Sequence, residues 1–68
     1  MELQINNQKI HLAQLEVSIQ LLLDLHWPNQ QKGLAVAVNT QVIAKADWGT
    51  YLLSEADDIL IITATQGG

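Results

Sequence analysis

Val17-Ser18-Ile19-Gln20-Leu21-Leu22-Leu23-Asp24-Leu25-His26-Trp27-Pro28 carries the longest helical pattern in the chain, and its reading decides the fold. Ser18 has the hydroxyl of a helix N-cap, able to accept an N–H from the first turn. Ile19, Leu22, Leu23 and His26 follow at helical spacing, and Leu21 and Leu25 widen the apolar face. Val17, just before the cap, is placed to staple onto Leu22 one turn in. Pro28 stops the helix, because the residue before a proline avoids helical geometry. The pattern predicts a helix near residues 18–26 with a face that must be buried against something else.

That something is a sheet. Residues 2–6 alternate polar and apolar, Asn6-Asn7-Gln8 is a turn signal, and Lys9-Ile10-His11-Leu12 alternates again, which makes a hairpin. Beyond the helix, Asn29-Gln30-Gln31-Lys32-Gly33 is a polar loop. Leu34-Ala35-Val36-Ala37-Val38 is apolar on both faces and so belongs inside a sheet, as a central strand. Asn39-Thr40 turns the chain into a short strand, Gln41-Val42-Ile43. Lys45-Ala46-Asp47-Trp48 reads as a helical turn ended by Gly49, and Tyr51, Leu52 and Leu53 are expected to tuck back onto the core. Glu55-Ala56-Asp57-Asp58 is an acidic turn before a last strand, Ile59-Leu60-Ile61-Ile62-Thr63, again apolar on both faces. Hairpin, helix, strand, short strand and last strand, with a helical connection long enough for a crossover, is the β-grasp (ubiquitin-like) order. The expected fold is α+β, one main helix packed on one face of a mixed sheet. Residues 1–63 form the domain and 64–68 a flexible C-terminal tail.

Composition narrows the function. The chain has 68 residues, of which 49% are hydrophobic, and no cysteine. Neither a disulfide nor a thiolate zinc site is available, and stability must come from apolar burial. A domain of this size cannot enclose a deep substrate cavity and keep a core, so an enzyme is not expected. Seven acidic residues stand against three scattered lysines, Lys9, Lys32 and Lys45. Nucleic-acid binding needs a clustered basic surface, and an anionic membrane would repel the chain. The net charge of −4 either keeps a small protein soluble or attracts a basic protein partner. The start, Met1-Glu2-Leu3-Gln4-Ile5, is not a signal peptide, and no run approaches a membrane span, so the cytoplasm is the expected compartment.

Chemistry is best placed at the end, Ala64-Thr65-Gln66-Gly67-Gly68. A random chain would end in Gly-Gly only about once in 200 cases. Glycine lacks a Cβ, so an enzyme wall can approach the backbone closely, and five extended residues reach about 17 Å. A carboxylate turned into an acyl-adenylate gains a good leaving group that a sulfur donor can displace. A frayed tail is the plainer reading. A protein without a thiol that carries sulfur must carry it on a terminus or a cofactor. On the last strand, if Ile59 and Ile61 face the helix, Leu60 and Ile62 face outward with no second helix to cover them. They form a partner-docking patch unless a loop or a dimer covers them, and Ala35 and Ala37 are placed to extend it. His11 and His26 lack a third ligand nearby, so no metal site is expected. Asp57 and Asp58 are most simply turn formers, and Trp27, Trp48 and Tyr51 rim packing.

Over its whole length the sequence resembles the ThiS sulfur carriers of thiamine biosynthesis. The residues that carry the likeness are the N-terminal hairpin, Val17-Ser18-Ile19-Gln20-Leu21-Leu22, Ala35-Val36-Ala37-Val38-Asn39, Val42-Ile43 followed by Trp48, the acidic turn, and Gly67-Gly68. The resemblance implies a protein co-substrate that binds no cofactor of its own. A ThiF-like adenylating enzyme would use ATP and magnesium to adenylate Gly68, a persulfide donor would convert it to a thiocarboxylate, and a ThiG-like thiazole synthase would take the sulfur. Gly67 and Gln66 would thread the tail, and Leu60 and Ile62 would dock. Ala56, Ala44 and Gln66 depart from the usual family residues. A molybdopterin-type sulfur carrier, a ubiquitin-like modifier and a regulatory β-grasp module remain open from the residues alone.

Overall fold

The N-terminal alternation folds into β1 (Glu2–Ile5) and β2 (Gln8–His11), an antiparallel hairpin, in a computed structural model that describes residues 1–28 and 32–63. Its turn residues, Asn6 and Asn7, have φ of 49° and 69°. Two consecutive left-handed residues make the hairpin turn whose twist matches the strands, and asparagine tolerates that region better than most side chains.

The helix α1 (Ile19–His26) starts where the sequence places it. Ser18 Oγ accepts the N–H of Leu21 at 3.0 Å. Ile19, Leu22 and Leu23 are fully buried, as is Val17 before the cap. The apolar face is narrower than the sequence suggests. His26 is exposed and Leu25 largely so. Leu25 lies about 200° round the helix from Leu23, on the opposite side. The Trp27 N–H donates to the Leu23 carbonyl, which closes the last turn ahead of Pro28.

β3 (Leu34–Val38) and β4 (Gln41–Ile43) form a second antiparallel hairpin. Its turn residues Asn39 and Thr40 have φ of 50° and 72°. A 3₁₀ turn at Lys45–Asp47 follows. Trp48 is not rim packing: it is 1% exposed, among the largest fully buried side chains, and its Nε1–H donates to the Ile43 carbonyl at 3.1 Å. An indole fits a core once its single donor is satisfied. The next residues run in extended fashion beside the start of α1. Ile19 N–H donates to Tyr51 O, and Leu53 N–H to Val17 O. Extended backbone alternates its side chains, so Leu53 is buried while Leu52 is exposed, contrary to the expectation that all three residues turn inward.

The last strand, β5 (Asp58–Thr63), takes the middle of the sheet, whose order is β2-β1-β5-β3-β4. It runs parallel to β1 and antiparallel to β3. The β3 strand is also interior, but the centre belongs to β5. Leu3, Ile5, Val36, Val38, Ile59 and Ile61 face α1 and complete the core with it. No helix among the described residues is long and apolar enough to cross a membrane.

Candidate functional site

Alternation along β5 sends Ile59 and Ile61 to the helix side, at 0% and 7% exposure, and Leu60 and Ile62 to the other, at 47% and 51%. Register extends the outward set. Leu60 lies opposite Ala37 and Ile62 opposite Ala35, and Ala37 lies opposite Val42 on β4. Val42 is 72% exposed. Cross-strand partners share a face. The outward half of the sheet made by β5, β3 and β4 is therefore apolar apart from Asp58, which starts β5 on that face. The half made by β1 and β2 carries Glu2, Gln4, Lys9 and His11.

Hydrogen bonds from the turns fix β5 on both flanks, at its first residue and as far along as Ile61. Asn39 Oδ1 accepts the Asp58 N–H at 3.0 Å, and Asn39 Nδ2 donates to Asp57 Oδ1 at 2.9 Å. Asp57 Oδ2 accepts the Ser54 N–H at 2.7 Å. Asp57 is thus the turn former the sequence indicates, with both carboxylate oxygens engaged. On the other flank, the Asn6 N–H donates to Ile59 O, and Asn6 Oδ1 accepts the Ile61 N–H at 2.8 Å. The Asn6 side chain thus continues the ladder where the β1 register stops.

Between the two hairpin turns the outward face sinks into a depression of about 270 Å³, lined by Asn7, Ala37, Thr40, Asp58 and Leu60. Ala37 and Leu60 supply apolar surface; Asn7, Thr40 and Asp58 supply polar groups. Sequence reading missed Val42 and Thr40 as surface features. The signal was present in the Asn39-Thr40 turn, because a two-residue turn pairs Val38 with Gln41 and so sets Val42 beside Ala37.

Gln66, Gly67 and Gly68 lie outside the described residues, three to five positions beyond Thr63 at the end of β5. His11 and His26 are exposed and far apart in the chain. Among the described residues no group of three or more His, Cys, Asp or Glu could hold a metal ion.

Comparison with known proteins gives one consistent answer. The "Sulfur carrier protein ThiS" of Escherichia coli K12 is 28% identical over 68 residues, covering all of both chains. The crystal structure of a thiamine biosynthesis protein (ThiS) from Geobacter metallireducens superposes with a TM-score of 0.88 at 17% identity, again over all of both chains. That likeness establishes the β-grasp fold. The sequence profile of the ThiS family matches residues 2–68. The chain belongs to the ThiS family.

Proposed function

We propose that the chain is a sulfur carrier of thiamine biosynthesis that works through the carboxylate of Gly68. The family match running through residue 68 carries this reading, because it takes in Gly67-Gly68 together with the fold. The Escherichia coli relative, itself a sulfur carrier by name, is matched to its own last residue. In the proposed cycle a ThiF-like enzyme in the cytoplasm, with ATP and magnesium, joins the Gly68 carboxylate to AMP and releases pyrophosphate. A persulfide then attacks the acyl carbon, and AMP leaves with the bonding pair. A thiol cleaves the resulting acyl disulfide, leaving a thiocarboxylate on Gly68 and a disulfide on the donor. A ThiG-like thiazole synthase takes the sulfur. The chain is a co-substrate throughout, and no side chain of its own performs a step.

Gly67 and Gln66 pass through the enzyme's channel in this reading, where bare backbone allows close approach. Leu60 and Ile62, with Ala35, Ala37 and Val42, form the docking face. ATP–pyrophosphate exchange with the adenylating enzyme tests the proposal. Removing Gly68, or adding a residue after it, should abolish exchange without altering the melting temperature. An added residue shifts the carboxylate by up to ~3.5 Å, and a misplacement of about 1 Å can cost about 100-fold in rate. Exchange at the wild-type rate by a C-terminally extended form would exclude the terminal carboxylate as the reactive group.

A further inference from the structure

We propose that the depression between the two hairpin turns is a specificity pocket for one cationic side chain, an arginine or lysine presented by the adenylating enzyme as it docks on the outward face. The inference rests on the docking reading and adds to it the chemistry of the partner's anchor. At about 270 Å³ the depression is below the usual size of a cofactor site and suits a single long side chain. Ala37 and Leu60 offer apolar surface for a methylene stem, and the Asp58 carboxylate, an acceptor with no donor of its own, offers the end point for its charge. Asn7 and Thr40 add acceptor oxygens, and no cationic residue lines the space.

The two adjacent aspartates are not equivalent. Asp57 spends both carboxylate oxygens on Ser54 and Asn39. Asp58 is held through its backbone N–H, by Asn39 Oδ1, so its place in the pocket wall is fixed without engaging the carboxylate. Thr40 adds an independent observation. It is β-branched yet sits at φ of 72°, in a turn position where glycine is the favoured residue. A strained side chain kept at the lip of a pocket is expected where the side chain contributes to recognition. The net charge of −4 favours approach of a basic partner to the same surface.

The test measures binding of the full chain to the adenylating enzyme of the same organism across a salt series. Asp58→Asn should weaken binding about tenfold and flatten its salt dependence, with the melting temperature unchanged. Asp58→Lys should weaken it further. Thr40→Gly should weaken binding a few-fold without lowering the melting temperature, a split that a purely structural role would not produce. Ile62→Asp and Val42→Asp report on docking alone, since neither residue lines the depression. If they weaken binding while Asp58→Asn binds within about twofold of wild type at an unchanged salt slope, the pocket is overturned and docking stands. If both bind as wild type, the docking reading falls and the pocket with it.

Discussion

Trp48 and Thr40 show how differently single residues are held. Trp48 fills the core and satisfies its one donor on the Ile43 carbonyl. Trp48→Ala should cost about 3–5 kcal/mol, a large part of what a small domain possesses, and urea unfolding will measure it. Near-wild-type stability would mean that the indole is not a core element. Thr40→Gly should act the other way. Relief of a left-handed β-branched residue is worth about 1–2 kcal/mol, against about 0.5–1 kcal/mol lost to glycine's freedom in the unfolded chain. A net gain of roughly 0.5 kcal/mol should raise the melting temperature by a few degrees; a fall would show that the Thr40 side chain stabilises the turn. The placement of Trp48 was not legible from its neighbours. An isolated tryptophan after a helical turn fits rim and core alike, and only the approach of Ile43, five residues earlier, supplies the acceptor that lets it enter.

At the scale of elements, punctuation residues proved more informative than apolar runs. Ser18 and Pro28 marked the helix, and Asn6-Asn7 and Asn39-Thr40 marked both hairpins, because each answers to a local backbone demand. The apolar run of α1 was less decisive, since eight residues against one sheet bury a narrow stripe and leave Leu25 in water. Leu52 escaped for a related reason: its inward or outward choice depends on a bridge to Ser18 that no local pattern announces. Ser18→Ala should cost about 1 kcal/mol through the lost cap, read by urea unfolding. The asparagines make a sharper prediction. Asn6→Gly keeps the left-handed turn but removes the acceptor of the Ile61 N–H, and Asn39→Gly does the same for Asp58. Amide exchange should accelerate first at Ile61 in one variant and at Asp58 in the other. Equal acceleration along the whole strand in both would mean that the side chains do not act locally.

For the whole molecule, the sequence order supports a mixed sheet with one helix, while the central place of β5 emerges only from pairings between residues more than fifty positions apart, such as Gln4 with Asp58. The outward patch was half legible: alternation along β5 exposed Leu60 and Ile62, whereas Val42 required carrying the register of the Asn39-Thr40 turn across to Ala37. Ile59→Asp should unfold the chain, since it puts an unpaired charge in the core, and Leu60→Asp should leave it folded; circular dichroism on the two variants checks the assignment. A strand in the middle of a sheet also answers to mechanical load. A partner that draws on the residues after Thr63 in the direction of the strand pulls β5 along its own axis, against β1 on one side and β3 on the other. The hydrogen bonds to β3 lie across that direction, so tension loads them together in shear instead of peeling them one by one as it would from an edge strand. The handle by which this carrier would be gripped is anchored where the fold resists force best.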